Sequence, residues 1–395
     1  MRNKEKRHGV LYGDEQLGPF PMHHLKRVEK PTNLITDEWE RIDSREIPFI
    51  KAAMGEYGLA AQAAVYRGTG QRDPLSATYI EVATHLSTMK DNEVAPTKAP
   101  TPEDPAILSC HIKSYGYFLG ADIMGICELP KSAVYKSDMA GKPVEVNYKF
   151  AIVIALEKDY RTEKASNGYD WIADPLSFQA YAHSSVVAIT MANYIRRLGY
   201  PASAQYGPQW YEVQIPPLLL LAGIGEVCRA GIILNPFLGF SYKAAAVLTD
   251  LPLVPDKPID FGLQDFCQHC KRCSTACPSQ AIAKGDKIMY NGYETWKLDV
   301  QRCASFCLLN TRGSWCTNCV RVCPWTRPHT WQHNFVRWVV RHFGLARRIA
   351  ITSDETLGFP EAQEKDKWWF DLEMVDGVLK IPQRSMTKYS GGEYF

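Results

Sequence analysis

Nine of the 12 cysteines in this 395-residue chain lie between Cys267 and Cys323. The first four belong to the stretch CQHCKRCSTACPSQAI, whose spacing is C-x2-C-x2-C-x3-C-P. Two-residue gaps let three thiolates wrap around one iron-sulfur cubane, and the fourth cysteine, before proline, then ligates a different cluster. The spacing therefore predicts electron-transfer chemistry based on 4Fe-4S clusters.

A second, degenerate copy of the pattern, C-x12-C-x2-C-x3-C-P, completes two sets of ligands. The two copies exchange their outlying cysteines, as in ferredoxins with two clusters. The first predicted ligand set is Cys267, Cys270, Cys273 and Cys323. The second predicted set is Cys277, Cys303, Cys316 and Cys319. Cys307, four residues after Cys303, is the alternative fourth ligand of the second cluster.

A pair of structural zinc sites is the alternative interpretation, because C-x2-C knuckles also bind zinc. Zinc sites pair two such knuckles, and a third cysteine at the same short gap, followed by Cys-Pro, fits them poorly. A disulfide framework is typical of small secreted domains and not of a chain this long. Cys110, Cys127 and Cys228 lie in apolar, periodic stretches, where a free thiol behaves as a small hydrophobic side chain.

Composition excludes several classes of protein. With 46% hydrophobic residues, the chain can bury the core of one large or two ordinary domains. Its 45 basic and 43 acidic residues nearly balance, so we expect no nucleic-acid partner. The apolar stretch IPPLLLLAGIG is about half as long as a membrane span and should be core. The N-terminal MRNKEKRHGVLYGDEQ lacks the features of an export signal, so we expect a cytoplasmic location.

The elements that must position this chemistry indicate an α/β body. From Glu103, apolar residues recur at helical spacing, Gly120 is a plausible stop, and DIMGICEL follows as a strand. KFAIVIAL is an unbroken apolar run, typical of a strand buried on both faces. GIILN and AAAVLTDL read as further strands. A long helix from about Asp174 to Gly199 carries an inward stripe. The stripe is Tyr181, Ser184, Ala188, Met191, Ile195 and Leu198.

The sequence divides into four predicted parts. An extension rich in proline, glycine and charge, 1–101, wraps a body formed by 102–258. The cluster domain, 259–329, is inserted after the body, and a segment at 330–395 packs back on the core. There is no P-loop, no G-x-G-x-x-G between a strand and a helix, and no nucleophile elbow. Nucleotide and flavin binding therefore have no motif in their favour.

Four stretches together resemble the corrinoid and iron-sulfur reductive dehalogenases, from about Cys110 to Trp325. They are VLTDLPLVPDKPIDFGLQDFCQHCKRCSTACPSQAI, YAHSSVVAITMANYIRRLGY, AGIGEVCRAGIILNPFLG and CTNCVRVCPW. The resemblance implies an α/β (α+β) fold: a nitroreductase-like domain that binds a base-off corrinoid, with an inserted bacterial ferredoxin-like domain. The D-x-H-x-x-G corrinoid signature is missing, as expected of a family that binds the corrinoid largely through backbone and a buried cavity.

The same resemblance implies roles for particular residues. The family's proton-donating tyrosine and its supporting basic residue fall on Tyr181 and Lys243. A lysine at the second position is similar to that of cytosolic members that act on halogenated phenols. ASAQYGPQW replaces the family's Pro-Ser-x-Asn stretch, so Tyr206 and Trp210 are expected to line a different pocket wall. Cys307 replaces the usual tryptophan, which favours Cys303 as the ligand and places an extra thiol near the pocket.

The implied function is replacement of a carbon-bound halogen by hydrogen. The implied partners are a small organohalide and an electron donor, either a ferredoxin, a flavodoxin or a reductase, with no membrane span. Two alternative functions are considered. Epoxyqueuosine reductase, which modifies tRNA, would need a basic face and usually has a helical-repeat C-terminus, whereas 326–395 shows no repeat. A non-catalytic iron-sulfur electron carrier would bind no cobalt.

Overall fold

The computed structural model describes residues 17–67, 74–87, 93–207, 212–310, 313, 315–357, 361–362, 373–375 and 378–380. The helices, in chain order, are α1 (Pro48–Ala53), α2 (Leu59–Arg67), α3 (Pro74–Ser87), α4 (Pro105–Phe118), α5 (Tyr160–Glu163), α6 (Ala173–Arg197), α7 (Ile215–Leu221), α8 (Leu263–Cys270), α9 (Arg272–Thr275), α10 (Val300–Leu309), α11 (Asn318–Arg321), α12 (Trp331–His342) and α13 (Gly344–Thr356). The strands are β1 (Ile123–Glu128), β2 (Phe150–Glu157), β3 (Ala202–Gln205), β4 (Glu226–Val227), β5 (Ile233–Leu234), β6 (Tyr242–Thr249), β7 (Ile288–Tyr290), β8 (Tyr293–Thr295), β9 (Glu373–Val375) and β10 (Val378–Lys380).

A four-stranded sheet forms the centre of the body, in the order β1-β2-β6-β3. Every neighbouring pair is antiparallel. The predicted strands DIMGICEL, KFAIVIAL and AAAVLTDL are confirmed as β1, β2 and β6. Unbroken apolar strands are typical of parallel sheets, yet β2 has six consecutive buried residues in an antiparallel sheet. The reason is that both faces of this sheet are covered.

Alternate residues of β2 belong to two different cores. Ile152 and Ile154 pack with Met191 and Ile195 of α6 on one face. Val153 and Ala155 face the other way and share a core with α7, Phe261 and Trp325. Side chains alternate across a strand with a period of two, so a single apolar run can serve both cores. The second core joins the body to the cluster domain.

Helix α6 lies on the sheet and contacts β6 and β3. The predicted inward stripe is confirmed, because Ser184, Ala188, Met191 and Ile195 are all buried. The helix stops before Gly199, whose φ of +84° lies in the left-handed region where residues with a Cβ are strained. A Cβ at this position would also lie 2.7 Å from the backbone of Lys98.

The N-terminal part is partly helical and contacts both the body and the cluster domain. Helices α1 and α2 pack against α10. Arg41 Nε donates to the carbonyl of Val134 at 3.1 Å. Single antiparallel bridges join Arg27 to Ile259 and Ile35 to Tyr293. These contacts agree with a segment that wraps the core, and the four domain boundaries stay predictions.

The apolar stretch from Ile215 forms α7, whose residues Leu218, Leu219 and Leu220 are buried in the core, as predicted. In the described ranges, no helix combines the length and the apolar character needed to cross a membrane.

Candidate functional site

Tyr181 and Lys243 face each other across the interface between α6 and β6. Lys243 Nζ donates to Tyr181 Oη at 3.3 Å and lies 4.4 Å from the centroid of the tyrosine ring. Both side chains are half-buried. Tyr181 sits on the inward stripe of α6, and Lys243 is the second residue of β6. The structure therefore brings the predicted proton donor and its basic partner into direct contact.

Two aromatic side chains flank this pair, and a third stacks on one of them. Phe178, one turn before Tyr181, lies 6.2 Å from its ring, and Trp315 lies 5.7 Å from Phe178. Lys243 Nζ is 5.6 Å from the centroid of the Trp315 ring. Phe49, from α1, stacks on Trp315 at 5.2 Å with an interplanar angle of 7°. Sequence reasoning missed Trp315, although it stands directly before the predicted ligand Cys316.

The second thiol set adjoins Trp315 through Cys316, the next residue in the chain. The loop before α6 approaches Cys316 so closely that a Cβ on Gly168 would lie 3.2 Å from the Cys316 thiol. Asp170 holds this loop by accepting the backbone N–H groups of Gly168 and Ile172 at 3.2 and 3.0 Å. The pKa of Cys316 is raised to about 12, mainly by burial and in part by the nearby thiols of Cys303 and Cys277. The second cluster would therefore be the one adjacent to Tyr181 and Lys243.

Cys303 and Cys307 are neighbours, one turn apart on α10. The hydrogen bond between the two thiols lowers the pKa of Cys303. The same bond, together with burial, raises the pKa of Cys307 well above its usual value. The two thiols therefore lie within hydrogen-bonding reach of each other, as expected of a predicted ligand and its neighbour.

Cys307→Ala is expected to retain both clusters, since Cys303 is the predicted fourth ligand of the second set. About eight irons per chain should remain after anaerobic reconstitution. Cys303→Ala is the matched variant one turn earlier, and it should lose about four of them. Iron and acid-labile sulfide assays measure both. Loss of a cluster in Cys307→Ala, with retention in Cys303→Ala, would transfer the ligand role to Cys307.

The first thiol set lines a cavity with about 320 Å³ of empty space, part of it open to solvent. Its four predicted ligands all face this cavity: Cys267, Cys270, Cys273 and Cys323. Burial is the main reason that the pKa of Cys267 lies well above its usual value, and the charges of Cys228 and Cys323 raise it further. Buried thiolates need cationic partners, which iron would supply, so this donor set fits a cluster.

Cys228 and Arg229 are two further residues of this region that the sequence did not assign to the cluster site. Both line the cavity of the first thiol set. Arg229 is only 1% exposed, and its guanidinium donates to the carbonyls of Cys267, Ala283 and Gly285 at 2.9, 3.0 and 2.9 Å. Its charge thus fastens the first cysteine loop to the body. The prediction that Cys228 is a small buried side chain agrees with its 2% exposure, but its neighbours are cluster thiols.

Of the two predicted pocket residues, Tyr206 and Trp210, the structure describes only the first. Tyr206 follows β3 and is buried in the core that α6 shares with the sheet. Trp210 lies outside the described residues. The role of each in a substrate pocket stays a prediction.

Comparisons with known proteins agree with this geometry. Residues 266–326 match the model of the 4Fe-4S dicluster domain. A tetrachloroethene reductive dehalogenase from Desulfitobacterium hafniense (strain Y51) is 37% identical over 222 residues, which is 53% of this chain and 39% of that protein. A trichloroethene reductive dehalogenase from Dehalococcoides mccartyi is 31% identical over 52% of this chain and 37% of its own length.

A solved structure of the catabolic reductive dehalogenase NpRdhA has the same fold, with a TM-score of 0.89 and 35% sequence identity over 94% of this chain. The chain belongs to the reductive dehalogenase family. The family uses a corrinoid and two 4Fe-4S clusters, and the predicted α/β (α+β) fold is confirmed. The chain spans 54% of NpRdhA and less than half the length of the two curated relatives above.

Proposed function

We propose that this protein is a reductive dehalogenase that replaces a carbon-bound halogen by hydrogen. The observation that carries the proposal is the contact between Lys243 Nζ and Tyr181 Oη beside the loop that bears Cys316. This contact would put the proposed proton donor next to the proposed route for electrons. The reaction takes two electrons and one proton and releases the halide, so it needs both. When bound, the corrinoid supplies Co(I), a two-electron reductant able to cleave a carbon-halogen bond.

Tyr181 is the proposed proton donor. As the halide leaves, negative charge builds on carbon, and the Tyr181 hydroxyl delivers the proton there. The Lys243 ammonium, 3.3 Å from this hydroxyl, stabilises the phenolate that remains. Phe178 and Trp315 hold the tyrosine ring and the ammonium in place by packing around them. Solvent then returns a proton to Tyr181.

The proposed substrate is a halogenated phenol. A solved structure of NpRdhA, similar to this chain with a TM-score of 0.88, is a complex with 3-bromo-4-hydroxybenzoic acid. In this chain, the Lys243 ammonium can hold a substrate phenolate oxygen, so that an ortho halogen faces the corrinoid site. We further propose that Tyr206 and Trp210 line the pocket and that Cys307 lies near it.

Four thiols in each set are the proposed cluster ligands. They are Cys267, Cys270, Cys273 and Cys323 in the first set, and Cys277, Cys303, Cys316 and Cys319 in the second. A ferredoxin, a flavodoxin or a reductase is the proposed donor. Epoxyqueuosine reductase activity is not proposed, because the similarity to that enzyme from Salmonella typhimurium covers only 28% of this chain.

The proposal is tested by bromide release from 3-bromo-4-hydroxybenzoic acid. The full chain, reconstituted anaerobically with iron, sulfide and cobalamin and supplied with reduced methyl viologen, should form 4-hydroxybenzoic acid and bromide in equal amounts. The same preparation without cobalamin is the control and should release none. A chain that binds no cobalt would be an electron carrier, and one that binds cobalt without releasing bromide would contradict the proposed substrate class.

A further inference from the structure

The cavity of the first thiol set reaches the protein surface beside α13. Helix α8 carries Cys267 and Cys270 and is followed by Lys271, which lines this cavity and is exposed. Helix α13 packs along α8. The second thiol set instead lies near α6, and α10, which carries Cys303, is packed against α1 and α2. Electrons from outside therefore have their more direct access at the first set.

Two acidic side chains of this surface, among the residues that the structure describes, are paired with arginines. Asp265, on α8, binds the guanidinium of Arg347 at 2.9 Å. Asp354, on α13, pairs with Arg272 and Arg327. Their negative charges are therefore compensated within the protein and do not offset further positive charge nearby.

Two cations on the same surface lack such compensation. Lys271 is exposed, and its ammonium has no ion-pair partner within the described ranges. Arg348 is exposed too, and its guanidinium contacts His269 Nε2 at 3.2 Å instead of a carboxylate. Lys271 at the rim of the first thiol cavity and Arg348 on the neighbouring α13 thus present positive charge to solvent.

Apolar side chains stand next to these cations. Leu345 is 75% exposed and Ile349 is 59% exposed. They lie one turn apart on α13, on either side of Arg348 in the sequence. Exposed aliphatic side chains bordered by charge are typical of a protein interface, where the apolar part is buried and the charges form the rim.

We propose that the surface formed by His269, Lys271, Leu345, Arg348 and Ile349, here called the donor surface, docks a small acidic one-electron carrier protein. This inference rests on the proposed function, because only a reductase needs electrons delivered from outside. The carrier's carboxylates complement Lys271 and Arg348, and its apolar patch covers Leu345 and Ile349. Each docking event oxidises the carrier by one electron and reduces the first cluster by one, with no bond made or broken. Two events supply the two electrons of one turnover.

The test is the rate at which a reduced plant-type ferredoxin, an acidic protein, reduces the clusters of the reconstituted chain. Stopped-flow absorbance follows the loss of cluster absorbance on reduction, with no halogenated substrate present. In Lys271→Glu/Arg348→Glu, the second-order rate constant at low ionic strength should fall at least about tenfold, because charge steering is reversed. The difference should shrink at about 1 M salt, where charges are screened within roughly 3 Å.

Lys149→Glu/Arg197→Glu is the matched control. It changes the net charge by the same amount at two exposed residues, Lys149 immediately before β2 and Arg197 at the end of α6. Its rate constant should match the wild type. Equal rates in the two double variants would overturn the proposal. So would a dimer in the wild type that dissociates in the donor-surface variant, because the surface would then join two copies. Reduction of the clusters by reduced methyl viologen, a small molecule that needs no docking surface, should not slow in either variant. Cluster reduction is measured without dehalogenation, so the result does not depend on the proposed activity.

Discussion

Tyr181→Phe should lose at least about a hundredfold in turnover, the usual size of a lost general acid. The variant removes the hydroxyl that Lys243 Nζ contacts at 3.3 Å and leaves the ring that packs on Phe178. Folding, clusters and corrinoid should therefore be unaffected. Single-turnover bromide release from the fully reduced enzyme measures the chemical step without electron delivery, so a slow result there locates the defect at proton transfer.

Tyr194→Phe is the matched control on the same helix. The Tyr194 hydroxyl contacts His111 Nε2 at 2.7 Å, far along α6 from Lys243. Its loss should cost about 1 kcal/mol of folding stability and leave turnover unchanged. If Tyr181→Phe releases bromide at the wild-type rate, Tyr181 is a core tyrosine and the proposed proton donor is wrong.

Cys316→Ser should lose the second cluster and, with it, steady-state dehalogenation. Iron content should fall from about eight to about four per chain, because one thiolate of the set is gone. Trp315 and the loop at Gly168 place this set next to Tyr181 and Lys243, so its loss interrupts the route between the first set and the reaction site. Iron and sulfide assays, with electron paramagnetic resonance of the reduced protein, measure the change.

Cys110→Ser is the control for this variant, since Cys110 lies on α4 and belongs to neither predicted set. It should keep both clusters and its activity. Cys316→Ala serves as a second variant, because serine oxygen can replace a thiolate at some clusters. Eight irons in Cys316→Ala, or stoichiometric zinc in the wild type, would contradict the assignment of the ligands.

Much of the secondary structure could be predicted because it depends on local spacing. The inward stripe of α6 repeats every three to four residues, and the apolar run of β2 is unbroken, so both elements were found with nearly correct bounds. The antiparallel order of the sheet was not predicted. An apolar run shows that a strand is buried on both faces, whereas the strand order depends on how the chain returns between β1, β2 and β6.

Some residues of the candidate site could be predicted from the sequence, and others could not. Resemblance to a family, and not periodicity, pointed to Tyr181 and Lys243, which are 62 residues apart in sequence and 3.3 Å apart in the structure. Nothing in the sequence singled out Trp315 or Arg229. Trp315 matters because Phe178 and Lys243 come from different elements and converge on it. Arg229 matters because its guanidinium donates to carbonyls of two separate segments, one at Cys267 and one at Ala283 and Gly285.

The sequence by itself determined the cluster chemistry of this protein. The C-x2-C-x2-C-x3-C-P spacing places three thiolates of the first set close together and marks the exchanged fourth cysteine, so the pattern predicts the clusters without reference to the rest of the fold. Only the tertiary structure decided which thiol set lies beside Tyr181 and which set lines a cavity that opens to solvent. That order, and hence the direction of the electron route, depends on how α6, α10 and α13 pack around the cluster domain, and such long-range packing leaves no local pattern in the chain.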